Sequence, residues 1–382
     1  MSVVAWIRNR PLGLVYHDPA QAQSGYTLFS SVGGHHATLL DPEGAIVHRW
    51  HHSEGIQYAR LLANGNLLVS TLPPKEADGL EQLGGLQGAL VELDWRGQTV
   101  WEYRNPALHH DHLRLENGDT LILTWRKLPE GLTERVRGGH PDESDPERMW
   151  GDVVQRIDPH GTVLYEWRSW EHLDVDEDLI CPLEGRKEWT HANSLDLTPD
   201  GRLLISFRQT DTVGMVDFET GDFTWKWGPG VLSHQHHASW LESGRVLVFD
   251  NGCHRRHRGT YSEVLEVDPA SNEIAWNYKA GTIHAFFSSF LSGAERLANG
   301  NTFITEGASG RLFEVTPEGE TVWEYVSAFN YQLGFGPSPA VFRAHRYPLD
   351  DPRFSGKTLS KEPYLELNAR IERGLVIEEG SG

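Results

Sequence analysis

Along most of the chain, short apolar runs of four to six residues alternate with tight-turn chemistry. Six segments read as an apolar strand, a turn, and a second strand ending in aromatics: HATLLDPEGAIVHRW (36–50), GALVELDWRGQTVWEY (88–103), VVQRIDPHGTVLYEW (153–167), VGMVDFETGDFTWKW (213–227), VLEVDPASNEIAWNY (264–278) and RLFEVTPEGETVWEY (311–325). In Asp-Pro-x-Gly and its relatives, Pro presets one dihedral, Gly takes the positive one and Asp caps locally. The turns begin at 41, 94, 158, 218, 268 and 316, a period of 48 to 64 residues. A second hairpin alternates with the first, in 58–70, 112–125, 194–207, 239–250 and 295–306, with Asn-Gly turns at 64, 117 and 299.

Two hairpins per period make a four-stranded antiparallel blade. The pattern therefore predicts an all-β chain, a six-bladed β-propeller of such blades. One inner hairpin is missing from the interior, so the termini are expected to build it, GYTLFSS (25–31) pairing with PAVFRAHRYP (339–348) and closing the ring. The implied division is an N-terminal extension (1–24), the propeller (25–350) and a C-terminal extension (351–382). In the last, LELNARIERGLVIEE reads as a strand or a short helix outside the propeller. The aromatic strand ends are expected to pack between blades. Residues 126–151 and 168–188 break the rhythm and read as lids or interface arms.

Composition narrows the function classes. The formal net charge is −20, from 34 Lys and Arg against 54 Asp and Glu, which argues against nucleic-acid and anionic-membrane partners. An anionic small substrate would need local Arg and His groups working against that field. No apolar run approaches membrane-spanning length, and MSVVAWIRNRPLGLVYHDP lacks a signal-peptide core, so a cytoplasmic location is expected. With only Cys181 and Cys253, disulfides are not expected to hold the fold. Oligomeric state stays open, a homodimer included.

Candidate chemistry comes from aligning the inner hairpins on their turns. Seven residues before each turn lie Gln57, His110, Asn193, His236 and Ser292, with His191 two before Asn193 and His284 at a looser offset. In a propeller these positions would converge at one mouth of the central channel. His237 rivals His236 for that direction. Arg208 and Arg126, just past the second strands, are expected nearer the opposite mouth. Asn193 reads equally as a turn cap, and Arg208 as a partner for the abundant carboxylates. HHDH (109–112), QHH (235–237) and HRRH (254–257) are metal-like in composition but lack firm zinc spacings. Cys253 is a weak nucleophile candidate.

The motifs HHDHLRLENGD, WTHANS…LLISFRQTDTV and QHHASWLESGRVLVFDNG, the last followed by Tyr261, resemble the bacterial arylsulfotransferase family over roughly residues 25–350. The resemblance implies transfer of a sulfuryl group between phenolic compounds, through a sulfated histidine and without a required cofactor. It implies His236 as nucleophile, with His110, His191, Asn193 and Arg208 holding the sulfuryl and phenolic oxygens; from their positions alone, Gln57, Ser292 and His237 are expected as further substrate contacts. Two other readings stay open. One is a metal-dependent propeller lyase or oxygenase, with His110, His191, His236 and His284 around one Fe, Mn or Zn ion. In that reading Asp111 and Asp250 would orient the imidazoles. The other is a non-catalytic ligand-binding propeller.

Overall fold

In the computed structural model, residues 11–74, 79–80, 83–140, 149–256, 258–333 and 336–378 are described. The six turns anticipated from the sequence each join the third and fourth strands of an antiparallel sheet. Where Asp leads, its carboxylate accepts backbone N–H groups inside the turn: Asp41 from Ala45 (2.9 Å), Asp94 from Arg96 and Gln98 (both 2.8 Å), and Asp158 from His160 and Thr162 (both 2.8 Å). In all six sheets the register slips immediately before this turn, so a bulge is part of the repeat.

Sheet 1 comprises, in spatial order, His345–Pro348, Gly25–Ser30, His36–Leu40 and Ile46–His51, and sheet 2 Tyr58–Leu61, Leu67–Ser70, Ala89–Leu93 and Thr99–Arg104. Sheet 3 comprises Leu108–Arg114, Thr120–Lys127, Trp150–Ile157 and Val163–Arg168, and sheet 4 Ala192–Leu197, Leu203–Phe207, Thr212–Val216 and Phe223–Trp227. Sheet 5 comprises His236–Trp240, Val246–Asp250, Glu263–Val267 and Ile274–Tyr278, and sheet 6 Gly293–Arg296, Thr302–Glu306, Arg311–Val315 and Thr321–Val326. The chain is thus all-β at its core, built from four-stranded antiparallel sheets.

It divides into two compact units. The first is Met1–Leu72, Ala89–Arg104 and Ser288–Gly382, holding sheets 1, 2 and 6; the second is Pro73–Gly88 and Asn105–Phe287, holding sheets 3, 4 and 5. Within the first unit the terminal strands pair as the missing hairpin required, from Gly25 opposite Pro348 to Leu28 opposite His345. Residues before 25 are not merely an extension, because Gly13–His17 adds a fifth strand to sheet 6 along Thr321–Val326. The C-terminal run forms both alternatives in succession. A helix spans Leu365–Glu372, and Ile377–Glu378 then pairs in parallel with Phe329–Leu333. Asn368 ties the helix down by exchanging side-chain hydrogen bonds with the backbone of Ile46.

The aromatic strand ends do pack between neighbouring sheets of one unit. In the first unit, Trp50 Nε1 donates to Asp94 O (3.2 Å) and Trp323 Nε1 to Pro42 O (2.9 Å). In the second, Trp167 Nε1 donates to Gly221 O and Trp225 Nε1 to Asn272 Oδ1, both at 2.8 Å. Each indole buries its ring against the next sheet and caps that sheet's turn, which satisfies the one polar atom of a large apolar side chain. No helix among the described residues is long and apolar enough to cross a membrane.

Candidate functional site

The second unit brings its histidines together through irregular first strands. In sheet 3, His109 pairs with Leu123 and His112 with Ile122, so His110 and Asp111 bulge out. In sheet 4 the extra residue is Asn193, and in sheet 5 the slip falls between His236 and Ser239. A bulge re-aims side chains that regular pleating would send to alternate faces. Consistent with this, His110, His191, His234 and His237 have φ of 50°, 57°, 60° and 50°, a left-handed conformation uncommon for non-glycine residues and concentrated at functional sites.

Side chains brace these strands against one another. Asp111 accepts from Leu195 N (3.0 Å), Ser194 Oγ from Ala238 N (3.0 Å) and Asp196 from Trp240 N (2.8 Å), so sheet 3 is tied to sheet 4 and sheet 4 to sheet 5. Asp250 accepts from Ser233 N (2.8 Å) and Arg255 Nη2 (2.5 Å).

The imidazoles are buried and individually oriented. His109 stacks on Trp125 at 4.0 Å, and its Nδ1 lies 3.0 Å from His110 Nδ1. The His110 ring packs edge-on against His191, 4.4 Å away. His191 Nδ1 donates to Glu188 Oε1 at 2.6 Å, and Gln209 Nε2 donates to the same oxygen at 2.8 Å. His236 Nδ1 donates to Asn251 Oδ1 at 2.7 Å and to His234 O at 3.2 Å. Both partners are acceptors, so the proton sits on Nδ1 and Nε2 carries the lone pair. Gly84 and Gly85 cover the rings. A Cβ on Gly85 would stand 2.1 Å from His110 Cε1, and one on Gly84 2.7 Å from His191 Cε1.

Charge favours neutral rings here. Burial pushes His236 down to about 3, with the Arg208 charge adding to the effect, and burial likewise holds His110 and His109 well below the usual imidazole range. The Arg208 charge adds to the lowering of His110, His234, His236 and His254. Its side chain, 17 % exposed, pairs with Glu184 at 3.0 Å.

This position corrects the expectation of an opposite mouth. The second strand of a hairpin runs back beside the first, so its last residue lies next to the first strand's beginning. Accordingly Arg208 N donates to His191 O at 3.1 Å. Arg126 occupies the equivalent place in sheet 3 but is held by Glu166 through two hydrogen bonds of 2.6 and 2.7 Å.

Of the other candidates, Asn193 donates through Nδ2 to Gln235 O (2.8 Å), and its buried Oδ1 has no hydrogen-bond partner. His236 and His237 are both buried; His236 has the oriented ring. Gln57 and Ser292 belong to the first unit and bond within it, Gln57 N to Ser70 O (2.8 Å) and Ser292 Oγ from Gly307 N (2.9 Å). His284 is exposed on a short 3-10 turn, and so does not join His110, His191 and His236 in one donor set. Among the described residues, the group of three or more donors close enough for one ion is instead Cys181, His234 and His254. His257 of the HRRH run lies outside the described residues. Burial raises the Cys253 thiol to about 11, which removes it as a nucleophile. Sequence reasoning missed Asn251, Glu188 and His234. Asn251 follows the second strand of sheet 5 as Arg208 follows that of sheet 4, so the hairpin-return argument would have found it.

The family model for arylsulfotransferase (ASST) matches residues 58–328. The chain belongs to the arylsulfotransferase family. The matched span contains every residue of the buried histidine cluster. A search of proteins of curated function found no match. Among solved structures, a protein of unknown function from Bacteroides caccae aligns with a TM-score of 0.54 at 15% identity, covering 85% of this arylsulfotransferase-family chain and 98% of its own. That likeness concerns the fold alone. A virginiamycin B lyase from Staphylococcus aureus aligns with a TM-score of 0.46 at 14% identity, covering 84% and 85% of the two chains.

Proposed function

We propose that this chain transfers a sulfuryl group from an aryl sulfate to a phenolic acceptor through His236. The observation that carries the reading is the orientation of His236: a buried neutral ring with Nδ1–H on two oxygens, Nε2 free to attack, and Arg208 alongside. Nε2 attacks sulfur and the S–O bond to the aryl group breaks, its electrons leaving on the phenolate. The product is an N-sulfo-imidazolium with no net charge. Its positive ring is stabilised where it develops, because Asn251 Oδ1 and His234 O already accept the Nδ1 proton.

In this reading Arg208 holds the anionic sulfuryl oxygens, and His110 closes the pocket beside them. A proton carried on His191 Nε2, with Nδ1 held by Glu188, passes to the leaving phenolate. In the second half-reaction His191 takes the acceptor phenol's proton, the phenol oxygen attacks sulfur, and the S–N bond breaks to regenerate neutral His236. Asn193 Oδ1, an acceptor without a partner, suits the incoming phenolic O–H. No cofactor is needed for these steps, since the covalent intermediate divides one displacement into two.

The test is intact-protein mass after brief exposure to an activated aryl sulfate, with His236→Ala in parallel. A sulfuryl-sized increase that is absent from the variant is expected. No adduct and no transfer, from a correctly folded chain over a panel of aryl sulfates, would overturn the proposal.

A further inference from the structure

Beside the histidine cluster lies a second group of donors that sulfuryl transfer does not use. Cys181 comes from the linker between sheets 3 and 4, His234 precedes the first strand of sheet 5, and His254 follows its second strand. One donor atom from each falls within 4.8 Å of the others. Cys181 Sγ is 3.7 Å from His254 Nδ1, and the two imidazole rings are 4.5 Å apart at 76°. A tetrahedral zinc with bonds of about 2.3 Å to sulfur and about 2.0 Å to nitrogen holds those atoms roughly 3.6 Å apart. The Cys181–His254 pair thus already stands near the edge length of a coordination tetrahedron.

A second observation points to a ligand. His234 is fully buried, and neither ring nitrogen has a hydrogen-bond partner. Buried polar atoms are almost always satisfied, and an ion is one of the few things that satisfies an imidazole so placed. A fourth donor is at hand: Glu184 Oε1 lies 3.3 Å from His234 Nδ1 and 3.7 Å from His254 Nδ1. Thiolate and carboxylate together would neutralise a divalent cation, so the nearby Arg208 charge meets no net opposing field.

We propose that Cys181, His234, His254 and Glu184 form a binding site for one divalent transition metal, Zn²⁺ by preference, that clips the 169–188 linker to sheet 5. Sulfur with two imidazoles selects zinc over magnesium or calcium. Binding forms the S–Zn bond and releases the Cys181 thiol proton to solvent, with no redox change. Burial lowers both imidazoles below the usual range. The site rests on no assumption about sulfuryl transfer.

The test uses the full chain, stripped with chelator under a non-thiol reductant and then given Zn²⁺ or Co²⁺ alone. One equivalent retained through desalting is expected, with a thiolate-to-cobalt charge-transfer band and a higher melting temperature. Cys181→Ala should abolish the band. His254→Ala, at a partly exposed position, should weaken zinc binding by more than the roughly 10–100-fold that losing a ligand-orienting partner costs. Absence of retained metal in a chain of unchanged circular dichroism would overturn the site. So would metal that survives both substitutions, or metal that only His191→Ala removes.

Discussion

In sheets 3, 4 and 5 the first strand is bulged, at His110–Asp111, at Asn193 and beside His237. The corresponding strands of sheets 1, 2 and 6 pair without a slip. Both units bury a histidine on a carboxylate, and they leave it in different states. In the first unit, His345 engages both nitrogens, Nε2 with Tyr58 Oη (2.9 Å) and Nδ1 with Glu295. In the second, His191 gives Nδ1 to Glu188 and keeps Nε2 toward the other imidazoles. The same kind of side-chain pair engages both imidazole nitrogens in the first unit, while in the second only Nδ1 of His191 is held by the carboxylate. The irregularity, more than the residue type, marks the site.

The largest expected effect separates those two states. His236→Ala should lower aryl-sulfate turnover by at least about a thousandfold without moving the melting transition. His345→Gln should instead cost about 1–3 kcal/mol of stability and leave kcat of the folded fraction within about twofold. Equal losses of turnover in both variants would erase the functional distinction between the units. Arg208→Met should follow, with a loss of about 10²–10³-fold in kcat, since its guanidinium is assigned to charge that grows in the transition state.

Glycines sharpen the comparison further. Gly85→Ala places a methyl against the His110 ring at a residue with φ of 70°, and should reduce turnover by roughly tenfold or more. Gly201→Ala, at a turn with φ of 85° and open space around it, should cost about 1 kcal/mol of stability and nothing in turnover. Steady-state kinetics beside thermal melting distinguishes the two.

The smallest effect is a slope. Burial raises Asp152, beneath Thr190 and Ala192, from 3.8 to about 7. The folded chain therefore holds a proton the unfolded chain has lost, and this group's contribution to stability is full below 3.8 and declines as pH rises through that window to about 7. Asp152→Asn should flatten that part of the stability profile; an unchanged slope would show that Asp152 is ionised throughout.

Much of the fold was legible because its signals are local. Asp-led turns, Asn-Gly turns and alternating apolar residues act over four to eight positions, and they located the hairpins correctly, including the pairing of residues 25–31 with 339–348. His110 and His236 were legible because hairpins of equal length place equal offsets at equal heights, and His191 because it lies two residues before the aligned Asn193. Arg208 was recognised but placed at the wrong end, because the return of an antiparallel strand was left out of the reckoning. Asp250 looked like a ligand partner from its neighbours in sequence, yet its carboxylate accepts from backbone N–H groups and from Arg255.

By itself the amino-acid sequence determined the repeat, the sheet composition and the family, all of which follow from short-range turn chemistry and motif order. Tertiary structure alone decided that Asn251 orients His236, that Glu188 orients His191, and that Cys181 meets His234 and His254. Those partners are 3 to 73 residues apart in the chain. Their meeting depends on one-residue bulges and on how sheets brace each other, and a single residue of slip turns a side chain to the opposite face.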